Sequence, residues 1–160
     1  MFAIGDKIFY PVHGAGVIEA IEEREILGEK HQYYVLNMLL RELQIMVPIK
    51  NISNLGIRKV VESDILDDVM TIFDDQDPEI MANTMQRQRI NADKIKSGNI
   101  FDFAEVIRDL SSIERKRVLG SADKTMLDNA LQMMISELML VKNLSTEQAS
   151  TLLNKAIRCQ

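Results

Sequence analysis

The side chains that most often perform chemistry are few in this sequence and lie far apart. The 160 residues include two histidines, His13 and His31, and a single cysteine, Cys159. One cysteine cannot form an internal disulfide, and neither histidine has cysteine or acidic partners at the spacing of a metal site. We expect Gly14-Ala15-Gly16 to form a turn among strands, without the helix that a phosphate-binding loop opens. We therefore expect no catalysis, no metal and no cofactor.

The composition is that of a folded protein in a reducing compartment. Hydrophobic residues make up 46% and charged residues 27%, with 3 prolines and 7 glycines, which excludes disordered and collagen-like chains. The first residues lack the basic start and long apolar core of a targeting peptide. The most apolar run, 126–141, is interrupted by charged and polar side chains and is too short to span a bilayer. We expect a cytoplasmic monomer that does not bind membranes.

Residues 1–58 have the pattern of short strands joined by tight turns. The predicted strands are Lys7–Tyr10, Val17–Ile26, His31–Met38 and Leu43–Val47. The second and third strands are separated by the turn Leu27-Gly28-Glu29. Strands this short bury a core only by curling, which predicts a small β-barrel.

Residues 59–160 have apolar side chains at helical spacing from Glu62 onward. Pro78 is placed in the first turn of a helix that extends to Lys96, and Ser145 with Gln148 forms a capping box. The helix 121–141 is apolar almost all round, as a central helix is. We count about five helices, so the predicted fold class is α+β, with a β-barrel domain (1–58) followed by an all-α domain (59–160).

Charge is unevenly distributed along the helical half. The net charge is −5, and the segment 62–79 contains acidic residues but no basic ones. In the helix predicted over 78–96, the helical wheel places Arg87 and Lys94 on one flank and Arg89 and Lys96 on the other. The residues expected to face the core are Met81, Met85, Ala92 and Ile95. From spacing alone, the basic flanks either follow a phosphate backbone or simply solubilise the helix.

Ordered motifs in both halves resemble the CarD family of bacterial transcription regulators. The first half contains Ile4-Gly5-Asp6, Tyr10-Pro11-Val12-His13-Gly14-Ala15-Gly16, Tyr33-Tyr34-Val35-Leu36 and Val47-Pro48. The second half contains Lys94-Ile-Lys-Ser-Gly98, Ala104-Glu-Val-Ile-Arg-Asp-Leu110 and Lys124-Thr-Met-Leu-Asp-Asn-Ala130. The first set also resembles the polymerase-interacting module of the transcription-repair coupling factor, whereas the second set does not. The ordered set across residues 2–158 is therefore specific.

This resemblance implies a regulator with two binding surfaces and no catalytic activity. A Tudor-like small barrel would bind the β subunit of bacterial RNA polymerase, on the lobe of that subunit (the β lobe). The helical domain would contact promoter DNA at the upstream edge of the transcription bubble and alter open-complex stability. Through polymerase the protein would be associated with the nucleoid. The alternative is a polymerase-bound adaptor whose helical domain binds another protein and not DNA.

For the polymerase surface, the resemblance implies Arg24, which matches an interface arginine of the family. Met46 stands where relatives place a second interface arginine, and we expect Val47, which follows it, to belong to the same polymerase surface. A methionine contributes apolar contact there instead of an ionic one.

For the DNA surface, the sequence departs from the family at Thr84. The family's Asn-Trp pair, whose tryptophan wedges against the minor groove, aligns with Asn83-Thr84, and this chain has no tryptophan. Threonine is too small to replace that wedge fully, and the helical layout directs Met85 inward. The resemblance also implies basic contacts, namely Arg87, Arg89, Lys94, Arg108 and Lys124. We expect a weaker hold on the bubble, and DNA binding that is weak unless polymerase holds the protein.

Overall fold

The structure is a computed structural model that describes residues 1–158, so Cys159 lies outside the described residues. Five strands come first: β1 (Lys7–Tyr10), β2 (Gly14–Ile26), β3 (Glu29–Met38), β4 (Leu43–Pro48) and β5 (Arg58–Lys59). Five helices follow: α1 (Ser63–Met70), α2 (Thr84–Ser97), α3 (Ile100–Lys116), α4 (Ser121–Lys142) and α5 (Thr146–Ile157). The predicted α+β fold, a small β-unit followed by about five helices, is confirmed. None of the described helices combines the length and apolar character needed to cross a bilayer.

The strands form one antiparallel sheet in the order β4-β3-β2-β1-β5. The hairpin between β2 and β3 turns at Leu27 and Gly28, which both have positive φ, 52° and 80°. Such turns match the right-handed twist of the flanking strands. Tyr34, Leu36 and Met38 alternate along β3 and are fully or almost fully buried, as the strand period predicts. With side chains from β1, β2, β4 and Ile57 they form one small core.

The helix ends are set by short polar side chains and glycine. Asn99 accepts hydrogen bonds from the first turn of α3, and Ser145 and Gln148 form the predicted capping box of α5. Gly98 ends α2 with φ 74°. The predicted start of that helix near Pro78 is wrong, because the side chain of Asn83 accepts a hydrogen bond from Gln86 N–H at 2.9 Å and starts the helix at Thr84.

Helix α4 is the centre of the helical half and also packs against the sheet. Its neighbours are α1, α2, α3, α5 and β2. Phe9 of β1 belongs to the helical core, where its ring lies 5.3 Å from that of Phe103 in α3. The buried N–H of Ala15 donates to Ser136 Oγ in α4 at 2.9 Å. The two halves thus share a packed interface, and the boundary placed after residue 58 falls inside β5 and stays a prediction.

Candidate functional site

The outer face of the sheet contains both Arg24 and Met46, which lie two strands apart with residues of β3 between them. Arg24 lies opposite His31 in β3, and Met46 of β4 lies opposite Val35. Because cross-strand partners share a face and strand side chains alternate, these four side chains lie on the same side. The Arg24 side chain is 58% exposed and forms an ion pair with Glu22 at 3.0 Å, while Met46 is 39% exposed. We call the exposed pair Arg24 and Met46, with the strand surface between them, the outer sheet face.

Val47 does not belong to that face. It lies opposite Tyr34, on the core side of the sheet, and is 2% exposed. The Val47 side chain fills the β-core, so the predicted contact between Val47 and polymerase, which stays a prediction, would have to involve its backbone. Strand β4 is nevertheless an edge strand of the sheet. Its unpaired side offers backbone N–H and C=O groups that a partner strand can bind.

The first turn of α2 exposes Thr84 and Met85. Thr84 is the first residue of the helix, directly after the Asn83 cap. Met85 is 82% exposed. The prediction that Met85 faces inward is wrong, because the buried positions of α2 are Arg87 and Asn91. A helix whose buried stripe is polar cannot be oriented from its apolar residues.

Arg89 extends the same exposed surface. It lies four residues after Met85, and residues at this spacing are neighbours on one helix face. Arg89 is exposed, and no hydrogen bond or ion pair joins its side chain to another residue of the part described. Beside Thr84 is a hollow of about 250 Å³ whose lining includes Arg117 and Val118, and Val118 is 93% exposed. We call Thr84, Met85 and Arg89 the α2 tip.

Arg87 is buried and does not belong to that surface. It is 6% exposed, and its guanidinium donates to Asp123 of α4 at 2.9 Å. Gln88 donates to the other carboxylate oxygen of Asp123 at 3.3 Å. The flank position predicted for Arg87 on an exposed helix is therefore wrong, since the side chain ties α2 to α4.

Two other predicted DNA contacts are engaged within the helical half. Lys94 Nζ donates to Glu105 at 3.1 Å and joins α2 to α3, with 27% of the Lys94 side chain exposed. Arg108 donates to Asp109 at 2.9 Å. Burial raises the pKa of the Asp109 carboxyl above its usual 3.8, and the hydrogen bond and charge of Arg108 oppose that rise. Their DNA contacts stay predictions, and each would compete with an internal carboxylate.

Lys124 lies at the start of α4 and is exposed but paired. Its ammonium lies 3.3 Å from Glu114 and 3.4 Å from Asp128. The hydrogen bond and charge of Glu114, followed by those of Asp128, raise the pKa of Lys124. Of the predicted basic contacts, Arg89 alone is exposed and without such a partner in the part of the chain described.

A set of residues that joins the two halves was not recognised from the sequence. Gly14 has φ 89°, and a Cβ there would lie 2.9 Å from Ser136 Oγ and 2.8 Å from Leu40 Cδ1. Arg58 forms a bidentate ion pair with the fully buried Glu137 at 2.8 and 2.9 Å. A carboxylate inside an otherwise apolar helix was the signal available for this pairing. Across residues 1–158, no three His, Cys, Asp or Glu side chains gather as metal ligands do.

Two family models match successive parts of the chain. The model described as the CarD-like/TRCF RID domain matches residues 2–61, which contain the whole sheet. The model described as CarD, C-terminal domain matches residues 68–154, which run from α1 into α5. Together they follow the order of the two structural halves.

Similar proteins are found among curated sequences and solved structures. A Bacillus subtilis (strain 168) protein named "Putative transcription factor YdeB" is 45% identical over 148 residues, covering 92% of this chain and 97% of that protein. The solution structure of the 72-residue N-terminal domain of Myxococcus xanthus CarD is 29% identical, covers 37% of this chain and 79% of its own, and gives a TM-score of 0.32. The CdnLNt structure from Myxococcus is 36% identical, covers 38% and 86%, and gives a TM-score of 0.34.

Proposed function

This chain belongs to the CarD family of transcription regulators, and from that membership we propose that it acts by joining RNA polymerase to promoter DNA. In this proposal the outer sheet face binds the polymerase β subunit. The α2 tip contacts DNA at the upstream edge of the transcription bubble. The protein then alters the lifetime of the open complex without catalysing a reaction.

The polymerase contact is supported by the sheet and by the family model that covers it. The CarD-like/TRCF RID model spans residues 2–61. Arg24 is an exposed cation on the outer sheet face, and Met46 adds apolar area on the same face. The free edge of β4 can extend a partner's sheet through backbone hydrogen bonds.

The DNA contact rests on one observation above all, the 82% exposure of Met85 beside Thr84 at the start of α2. An apolar side chain that enters a base step compensates the partial loss of stacking in a distorted duplex. Arg89, on the same helix face, would bind the adjoining phosphate. In this chain Met85 performs the part that the family's tryptophan performs at the position of Thr84. Methionine is thinner and more flexible than an indole, so the hold on the bubble edge is weaker.

Polymerase supplies most of the binding free energy in this proposal. The protein has a net charge of −5, and at least nine of its 19 lysine and arginine side chains form ion pairs with carboxylates of the same chain, so free DNA attracts it little. Once the sheet is bound, the α2 tip is presented to DNA at a high effective concentration. The proposed working form is a monomer in the cytoplasm that reaches the nucleoid with polymerase.

Site-specific crosslinking in the promoter complex tests this proposal. A photoreactive amino acid replaces Met85 in one variant and the exposed Thr151 of α5 in a control. With polymerase and promoter present, we expect the Met85 variant to crosslink DNA near the upstream bubble edge and the Thr151 variant not to do so. Without polymerase, both are expected to give little crosslinking. Polymerase-dependent crosslinks to DNA that are equal for the two positions, or absent from both, contradict the proposal.

The adaptor remains the second candidate function, because several side chains predicted to contact DNA are paired with carboxylates of the same chain. Arg87, Lys94 and Arg108 each donate to a carboxylate of the same chain, which leaves fewer cations for phosphate. If the helical half binds a protein, crosslinks from Met85 go to that protein and not to DNA. An Arg89→Ala variant then leaves the promoter footprint unchanged.

A further inference from the structure

A groove between the sheet and the helices is lined by none of the residues assigned to the polymerase or DNA surfaces. Its volume is about 650 Å³. One wall comes from the turn after β1 and the connection between β3 and β4. The other comes from the last turns of α2 and one face of α4. An occupant of this groove therefore contacts both halves of the protein.

The floor of the groove is apolar and rich in methionine. Met38, Leu40, Ile95, Met126 and Met133 line it. Residues of α4 reach the groove from Ala122 to Met133 at helical spacing, which corresponds to a length of about 17 Å at 1.5 Å per residue. Flexible thioethers adapt to apolar ligands of varied shape. The volume lies within the range of about 300–1,000 Å³ typical of small-molecule sites.

The charged side chains on the groove wall are all basic. They are Arg41 and Lys96, and no carboxylate lines the groove. Arg41 and Lys96 are exposed, and no hydrogen bond or ion pair joins either side chain to a residue within 1–158. By contrast, the neighbouring Lys94 has an internal carboxylate partner. The two unpaired cations give the groove a preference for a negative charge.

The backbone at the groove's sheet wall is held in sparsely populated conformations. Val12 has φ 77°, and Arg41 has φ 64°. A β-branched residue at positive φ is an outlier, so the backbone at Val12 is strained. Both residues line the groove, and both are exposed. The strained positions thus coincide with the wall that carries Arg41.

We propose that this groove is a binding site for a small anionic amphiphile, an apolar chain that ends in a single carboxylate. The apolar chain lies on the methionine-rich floor, and the carboxylate is bound by Arg41 and Lys96. The groove's size favours a small molecule over a partner's helix, and the all-basic wall selects against neutral and cationic amphiphiles.

Calorimetric titration of the full chain tests this site with decanoate, decanol and decyltrimethylammonium, all below their micelle-forming concentrations. Decanoate is expected to bind saturably at one site and about tenfold more tightly than decanol, as a charge-assisted hydrogen bond implies. The cation is expected not to bind. The double variant Arg41→Gln/Lys96→Gln should lose that tenfold preference, whereas Lys50→Gln/Lys155→Gln, with two exposed cations outside the groove, should keep it.

A steric variant makes the test independent of charge. Asn129 is exposed and lines the groove, whereas Thr151 is exposed on α5 outside it. Asn129→Trp is expected to abolish decanoate binding, and Thr151→Trp is expected to preserve it. The proposal is overturned if the wild type shows no saturable decanoate binding, if decanol binds as well as decanoate, or if the groove variants bind like their controls.

Discussion

Arg58 and Glu137 form two parallel hydrogen bonds, 2.8 and 2.9 Å long, between the last strand of the sheet and the central helix of the other half. Arg58 also donates to the carbonyl of Gly98 at 2.9 Å, and its guanidinium carbon lies 4.6 Å from the centre of the Phe9 ring. Glu137 accepts a further hydrogen bond from Val61 N–H at 3.0 Å. This ion pair therefore holds the outer sheet face and the α2 tip in a defined relation, because both halves are anchored to it.

Glu137→Ala should be strongly destabilising. The substitution leaves Arg58 without its carboxylate, and breaking a buried ion pair in this way costs about 3 kcal/mol in the free energy of unfolding. We take the lower end of the usual range because 27% of the Arg58 side chain is exposed. Urea unfolding measures the loss. The control is Lys59→Ala, whose side chain is 67% exposed and lies 3.8 Å from Asp6, with an expected change below about 0.5 kcal/mol. Equal losses in the two variants contradict this role for Glu137.

Gly14→Ala should destabilise the protein more than Gly28→Ala. Both glycines have positive φ, 89° and 80°, so both substitutions carry a similar backbone cost of about 1 kcal/mol. A Cβ at Gly28 meets nothing within 4 Å, whereas one at Gly14 meets Leu40 and Ser136. Displacing Ser136 also disturbs its hydrogen bond from Ala15 N–H, which should add at least about 1 kcal/mol. Thermal or urea unfolding of the pair measures the difference. If the two variants are equally stable, the interface is not packed as described.

Arg24→Glu should weaken binding to the polymerase β lobe without unfolding the sheet. Arg24 is an exposed cation on the proposed polymerase surface, and Arg24→Glu removes that cation and places a carboxylate in the proposed contact. We expect at least a tenfold loss of affinity in a pull-down or titration with the isolated lobe. Lys50→Glu reverses an exposed cation elsewhere and should bind like the wild type. Unchanged affinity in Arg24→Glu places the polymerase surface elsewhere.

The Asp109→Asn variant should gain stability relative to the wild type as the pH rises. Burial raises the folded-state pKa of Asp109 above its usual 3.8, so the folded state disfavours the ionised carboxylate. The folded state therefore prefers the protonated carboxyl, and this preference adds to the free energy of unfolding. The contribution is fully present below the unfolded-state pKa and is lost as the pH rises through the folded-state pKa. An asparagine does not ionise, so the variant does not lose this contribution as the pH rises.

Urea unfolding of the wild type and of Asp109→Asn should therefore differ in pH dependence. The free energy of unfolding of the variant, relative to the wild type, is expected to increase as the pH rises from below the usual Asp pKa of 3.8 through the raised folded-state pKa. The exposed Asp93 provides the control Asp93→Asn. A relative stability of Asp109→Asn that falls as the pH rises contradicts the raised pKa.

The fold was predictable because its strongest signals are local. Apolar alternation in β3, the turn at Leu27-Gly28 and the capping box at Ser145 all lie within a few residues of the elements they define. The start of α2 was misplaced because Pro78 suits a first helical turn, yet the Asn83 cap begins the helix later.

The candidate site was less predictable because its geometry depends on distant partners. Arg87 looks like a surface cation until Asp123, 36 residues later, is placed beside it. Its burial also rotates the helix so that Met85 points outward. Arg58 and Glu137 are 79 residues apart, and the sequence shows Glu137 merely as a break in an apolar run. When a helix buries an ion pair, its buried face cannot be predicted from its apolar residues alone.

The lifetime of the open promoter complex tests the central claim most directly, since the claim is that Met85 occupies the bubble edge while polymerase holds the sheet. Each protein is added at saturating concentration. The lifetime with Met85→Ser should be several-fold shorter than with the wild type, because the substitution removes the apolar wedge. Thr84→Trp should lengthen it, and Thr151→Trp on α5 should leave it unchanged. If Met85→Ser and Thr84→Trp both give the wild-type lifetime while still binding polymerase, the α2 tip does not hold the bubble edge.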